Sequence, residues 1–291
     1  MPLRVAAISF LNPAPLLYDF EHEPKATELR SRYDVEYTLP SECARRLLTG
    51  EADLGLIPIA ALTPELAIIP GCTIASLDEV RSILLLVKNP EGLAAEEALQ
   101  RVSTIAADAA SRSSQAYTHL LFELWNATRP EFEEASADPL AMLEHHDAAL
   151  LIGDPALFAR EHRDAIDTKH ADDKLLWLDL ARLWRDHTGL PWVAAVWAFR
   201  PEALARENIA AAQVIGDLID SRNAGMANTP ALVDEWSPRL GLPRTVVQHY
   251  LTRNIHYVLD DECLATIRLF RKLAAENGTL PELGELNILK A

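Results

Sequence analysis

An α/β fold of two lobes enclosing a hinged cleft is what this 291-residue sequence predicts. Three observations carry that prediction. Continuous apolar runs, suited to strands buried on both faces, alternate with segments of helical periodicity as far as Phe199. Beyond Pro201 the pattern is almost wholly helical. The strand-like "WVAAVWAF" that precedes this change follows a long excursion, so the chain crosses to a second lobe near residue 90 and returns near 195. Lobe one then holds residues 1–89 and 197–291, and lobe two holds 90–196. Two crossings make a hinge, and a cleft between lobes is a preferred place for a small ligand.

The first element, "RVAAISFL", is a buried strand that ends at "NPAPL", where two prolines fix φ and remove donors from the ladder. "VEYTLP" reads as a second strand. In "SECARRLLTG", Ser41 is placed to cap a helix whose apolar face is Ala44, Leu47 and Leu48, with Gly50 at its exit. "ADLGLIPI" is the next strand, followed by "IIPGCTIASLDEV" and by "RSILLLVKN", a core strand rich in Ile, Leu and Val. The charged "PEGLAAEEALQR" leads to "VSTIAAD". After it, "SSQAYTHLLFELWNAT" sets Tyr117, Leu120, Leu121 and Leu124 at helical spacing. "PLAMLEHHD" is a short helix and "AALLIGDPAL" a strand ending in a turn. There is no internal repeat and no low-complexity tract.

Composition narrows the function. With 27 basic against 43 acidic residues the net charge is -16, which opposes nucleic acid as a partner because phosphate binding needs a cationic face. No run approaches the ~20 apolar residues of a membrane-spanning helix. The apolar start runs straight into Asn12-Pro13 and lacks a small-residue cleavage pattern, so a soluble, cytoplasmic protein is expected. Cys43, Cys72 and Cys263 are far apart and form no C-x-x-C pair, which predicts three reduced, mostly buried thiols. His145 and His146 are adjacent and point apart on a helix. No metal-ligand spacing, Gly-rich phosphate loop or nucleophile elbow is present. No sequence feature sets the oligomeric state.

Candidate chemical groups gather at strand ends: "SFLNPAPL", "EVRSILLL", "AADAASRSSQA" and "LIGDP", with "HTGLPW" on the return. Asn12 either satisfies its own turn or is held by Pro13 and Pro15 as a neutral donor and acceptor at the cleft. Ser111, Arg112, Ser113 and Ser114 open a helix. One of the serines can be a simple cap, but together with the helix N-terminus they offer more donors than one cap needs and can cradle a carboxylate. Asp154 reads as part of a "GDP" turn, with general base as the other role open to it. The tryptophans at 177, 184, 192 and 197 read as core, although Trp192 follows "TGLP" and is placed to line a pocket.

Taken in order, "RVAAISFLNPAPLLYDF", "PSECARRLLTGEADLGLIPIAAL", "IIPGCTIASLDEVRSILLL", "DAASRSSQAYTHLL", "ALLIGDPAL" and "HTGLPWVAAVWAFRPEAL" resemble the chorismate dehydratase family of the futalosine route to menaquinone. A weaker likeness continues through "YLTRNIHYVLDDECLATIRLF". The resemblance implies a two-lobed fold like that of type 2 periplasmic binding proteins, used by a cytoplasmic lyase without metal or organic cofactor. The implied reaction removes water from chorismate, a dicarboxylate, to give 3-[(1-carboxyvinyl)oxy]benzoate, with the substrate's own enolpyruvyl carboxylate as base. It assigns Asn12 to the leaving hydroxyl and Ser82 to a substrate carboxylate. Ser111, Arg112, Ser113 and Ser114 become the donor-rich loop, and Gly153, Asp154, Thr188 and Gly189 the opposite wall. Phe10 stands where a tyrosine is common in the family, and Ser114 where another small residue is. Two other readings compete: a 1,4-dihydroxy-6-naphthoate synthase-like enzyme of similar fold, which more often uses a catalytic histidine, and a module that closes on an anion without turning it over.

Overall fold

A computed structural model describes residues 2–110 and 112–290. Its ten strands form two five-stranded sheets. The first sheet runs β2-β1-β3-β10-β4, built from β1 (Leu3–Ile8), β2 (Tyr33–Thr38), β3 (Leu54–Pro58), β4 (Ala67–Ser76) and β10 (Trp192–Phe199). The second runs β7-β6-β8-β5-β9, from β5 (Ile83–Val87), β6 (Thr104–Asp108), β7 (Glu131–Ala135), β8 (Ala148–Ile152) and β9 (Leu176–Asp179). In each sheet the strand arriving from the other half pairs antiparallel with its neighbours: β10 with β3 and β4, β5 with β8 and β9. The other pairings are parallel. Strands β3, β5 and β8 are buried at every residue, which is why their sequences are unbroken apolar runs.

The exchange between sheets differs from the boundaries expected at 89/90 and 196/197. All of β5 lies in the second sheet and all of β10 in the first, so the chain changes sheet between β4 and β5 and again between β9 and β10. Sheet membership is decided by partners such as Ile152 opposite Ile83, and nothing local to "ILLLV" distinguishes one sheet from the other. Strand β1 also stops at Ile8, earlier than the apolar run suggests, because the chain turns through Leu11–Pro13 into the 3₁₀ turn Ala14–Leu17. The helix Pro40–Thr49 begins on its proline, with Leu39 in the cap position and Ser41 already inside the first turn. Strands β7 and β9 are absent from the sequence reading. Sheet-edge strand β7 exposes Glu131, Glu133 and Glu134, a charged edge that carries no apolar alternation to detect.

Both crossings are fastened to one carboxylate. Asp179, 7% exposed, ends β9 and accepts the backbone N–H groups of Val80 (3.2 Å) and Arg81 (2.7 Å) from the first crossing. It also caps the helix Leu180–Thr188 through Ala181 (3.0 Å) and Arg182 (3.3 Å). The C-terminal half braces the same place. Asn254 Nδ2 donates to the Glu79 carbonyl at 3.0 Å, and His256 and Ala75 exchange backbone hydrogen bonds. The three cysteines are free and buried. Trp192 is buried against Tyr117, which also stacks on Phe270, so it belongs to the core. Among the described residues no helix is long and apolar enough to cross a membrane.

Replacing Asp179 with Ala strips the acceptor from amides that include those of fully buried Val80 and Ala181. Stability is expected to fall by roughly 3 kcal/mol, seen as a lower urea midpoint; an unchanged midpoint means that the crossings are held by other contacts.

Candidate active site

The carboxyl ends of β1, β3, β6 and β8 converge on a partly open cavity of about 50 Å³ between the sheets. The segment leaving β1 supplies Ile8, Phe10 and Asn12, and β3 supplies Pro58. From the second sheet come Ala110, Arg112, Ser113 and Ser114 after β6, and Ile152 and Gly153 after β8, while Ala194 and Ala195 of β10 form part of the floor.

Asn12 is half-buried, and its carbonyl oxygen Oδ1 is buried without a hydrogen-bond partner. An orphan acceptor at a cavity wall is costly unless something is meant to meet it. The amide side chain stands against the hydroxyl of Tyr250. That hydroxyl in turn donates to Ser82 Oγ at 2.7 Å. Tyr250 and Ser82 are each 1% exposed, and burial raises the phenol pKa far above its ordinary value, so it stays neutral. Ser82 also accepts the Gly153 N–H on its carbonyl at 2.7 Å. Asn12 and Ser82 are thus brought to one place through a tyrosine that sequence reasoning missed.

Part of the donor-rich segment lines the cavity. The helix Arg112–Leu120 opens on the cavity, with Ser113 and Ser114 buried and Arg112 exposed. Ser113 Oγ accepts the Ala60 N–H at 3.1 Å, which leaves its own hydrogen free to be given to a ligand. Asp108, at the end of β6, accepts the Ala110 N–H at 2.9 Å and so shapes the entry to this helix. Ser111 lies outside the described residues.

On the facing wall "GDP" is a helix start and not a turn: Gly153 opens the helix Gly153–Glu161. Its φ of 63° and the Phe10 ring, 2.5 Å from where a Cβ would sit, both require glycine. Asp154 sends its carboxylate across to the segment after β1, where both oxygens take the Leu11 N–H, at 2.9 and 3.2 Å. It therefore fixes the backbone next to Asn12. Burial pushes its pKa up to about 6, against the Leu11 hydrogen bond, which lowers it. Thr188 and Gly189 are not brought to the cavity. Thr188 Oγ1 donates to the Trp184 carbonyl at 2.7 Å, and Gly189, with φ of 72°, ends the helix Leu180–Thr188.

A family model described as menaquinone biosynthesis matches residues 3–276. The chain belongs to the menaquinone biosynthesis family. Within reach of that family, a protein named chorismate dehydratase from Thermus thermophilus is 30% identical over 240 residues, covering 79% of this chain and 82% of its own. Solved structures share the fold of periplasmic binding proteins. The alkanesulfonate-binding protein SsuA of Xanthomonas axonopodis pv. citri, bound to MOPS, superimposes with a TM-score of 0.66 at 14% identity, covering 100% of this chain and 98% of that one. A protein of Archaeoglobus fulgidus gives 0.65 at 17% identity, covering 96% and 98%. The family member described here thus has the expected two-lobed binding-protein architecture, and the structural likenesses speak to fold alone.

Among the described residues the one cluster able to ligate a metal is His256, Asp260 and Cys263, which does not line the cavity. Its groups are already engaged: Asp260 accepts the Cys263 N–H at 2.8 Å and contacts His256 Nε2 at 2.9 Å, capping the helix Asp261–Glu276. Burial, with Asp260 beside it, pushes the Cys263 thiol up to about 12, so a thiolate ligand is disfavoured there.

The Asp154 proton has a measurable consequence. Its folded pKa of about 6 lies above the ordinary 3.8, so the folded chain holds the proton more tightly than the unfolded chain does. Its stabilising contribution is complete below pH 4, is lost by roughly 3 kcal/mol as pH rises to about 6, and is constant above. Asp154→Asn keeps an acceptor for Leu11 and removes the titration. The stability difference between the two proteins is expected to shift in favour of the variant across this window, read by urea unfolding at stepped pH; parallel curves would show that the carboxylate is solvated.

Proposed function

We propose that the protein is a chorismate dehydratase, a hydro-lyase that converts chorismate to 3-[(1-carboxyvinyl)oxy]benzoate and water. The observation that carries this reading is the unpartnered, buried Oδ1 of Asn12, a residue that lines a largely apolar cavity together with Ser113, Ser114 and Arg112. A dicarboxylate needs donors, and Ser113, Ser114 and the first-turn amides of the helix Arg112–Leu120 supply them beside a single guanidinium, Arg112. The leaving hydroxyl needs an acceptor to orient it, which is the role of Asn12 Oδ1. The substrate's enolpyruvyl carboxylate takes the ring C3 proton and passes it to the C4 hydroxyl, which departs as water as the ring becomes aromatic. The protein's share is orientation and electrostatic stabilisation. The same reading places the protein in the cytoplasm.

Entry requires movement. A cavity of about 50 Å³ is well short of the roughly 300 Å³ that small-molecule sites usually offer. Two hydrogen bonds join the lobes at its rim, Leu11 to Asp154 and Ala60 to Ser113, and both part when the lobes open for a ring-sized ligand.

Purified protein incubated with chorismate is expected to yield a product lighter by one water, followed by chromatography and mass. Binding without product would leave a solute-binding module instead. Asn12→Ala is expected to lower kcat by about 100-fold while the unfolding free energy stays within about 1 kcal/mol of the parent; an equal loss of folded protein would return Asn12 to a turn role.

A further inference from the structure

We propose that Tyr250 is a positioning residue that sets the hydrogen-bond polarity of Asn12 and Ser82, an inference that rests on the dehydratase reading. Tyr250 heads the π-helical turn Tyr250–Asn254, which follows the helix Arg244–His249. Such turns recur at functional sites because the wider loop re-aims a side chain. The far end of the turn is pinned where Asn254 Nδ2 donates to the Glu79 carbonyl, so the phenol is held against the first crossing from two points.

A phenol has one hydrogen to give; Ser82 Oγ lies 2.7 Å from the phenol oxygen and Asn12 Oδ1 has no partner, so that hydrogen is assigned to Ser82. Two things follow. Ser82, its oxygen already serving as acceptor, presents its own hydrogen elsewhere and acts as a donor toward bound substrate. The Tyr250 oxygen, its hydrogen committed, can only accept on its other side, so it selects the NH₂ end of the Asn12 amide. The Asn12 carbonyl oxygen is thereby turned away from Tyr250, which agrees with its being the end without a partner. One neutral, fully buried hydroxyl makes Asn12 an acceptor and Ser82 a donor at the same time. An asparagine alone is ambiguous in this respect, since a half-turn of the amide exchanges its donor and acceptor ends.

The test is a set of mutant cycles with chorismate as the probe. Tyr250→Phe keeps the ring in the core and removes the hydroxyl. It is expected to lower kcat by about tenfold, the worth of one oriented hydrogen bond, with KM and thermal midpoint nearly unchanged. In a Ser82→Ala background the same change is expected to cost less than about threefold. Additive losses, or a kcat loss that tracks lost folded protein, overturn the proposal. A second cycle needs no change at Tyr250. Ser82→Ala frees the phenol hydrogen to turn to Asn12 Oδ1, so Asn12→Ala then costs much less than it does in the parent, whereas additivity overturns the proposal. A parent protein that binds chorismate without forming product overturns the dehydratase reading alone. The same cycles are then read as chorismate affinity by calorimetry, with the same non-additive pattern supporting and additivity overturning. A parent that neither binds nor converts chorismate overturns both.

Discussion

The buried carboxylate of Asp179 is the contact on which the geometry of both lobes depends. A carboxylate that accepts several backbone amides at once has no freedom to shift, and its donors come from both crossings. Burial raises its pKa, and the Arg81, Val80 and Arg182 amides together with Arg160 work against that rise. What it fixes propagates along the chain. Ser82 and β5 follow immediately after the pinned amides, the Ser82 carbonyl holds Gly153, and the neighbouring Asp154 reaches over to Leu11 beside Asn12. The position of Asn12 is thus referred back to the hinge through a series of short polar contacts. The prolines around it only stiffen the last step.

The electrostatics of the site follow from where the cations are spent. Arg4 and Arg206 are tied to Asp53, Arg32 to Asp217, and Arg45 to Glu42 and Glu51. Against a net charge of -16, Arg112 is the one cationic side chain among the described residues that line the cavity. An anionic ligand must then be held mostly by neutral donors. Fixed dipoles serve this purpose well in a closed cavity, because water does not compete and nothing has to reorganise. A cluster of lysines would bind a dianion tightly in its ground state too, which does not speed a reaction.

Much of this was legible in the sequence, and the parts that were not share a physical cause. Elements with their own signal were readable: the unbroken apolar β3, β5 and β8, the Ser-rich helix start, and Asn12 at the end of β1. Edge strand β7 was not, because a short charged strand exists only by virtue of its neighbour β6. The sheet boundary was misplaced for the same reason, since β5 and β10 take their membership from partners distant in sequence. Tyr250 is an aromatic on an apolar helical pattern, which reads as core, and it is in the core; its function lies in where the hydroxyl ends. The one available signal was its place in "YLTRNIHYVLDD", where a family resemblance persists in an otherwise ordinary helical stretch. Thr188 and Gly189 show the opposite error, since "HTGLP" has the look of a binding loop and is spent on ending a helix.

Asp154 shows most clearly how far chemistry and architecture are joined here. In "GDP" it looked like a turn residue with general base as the alternative, and the structure puts it in the first turn of a helix. Its carboxylate bridges the lobes to a backbone amide adjacent to Asn12, while Ser113 makes the matching bridge to Ala60 on the other rim. Both bridges attach at residues beside, or within, the set of groups that face the cavity. The contacts that join the two halves at this place therefore attach beside the groups that line the cavity. Burial of the bridging Asp154 carboxylate raises its pKa, and the Leu11 amide works against that rise.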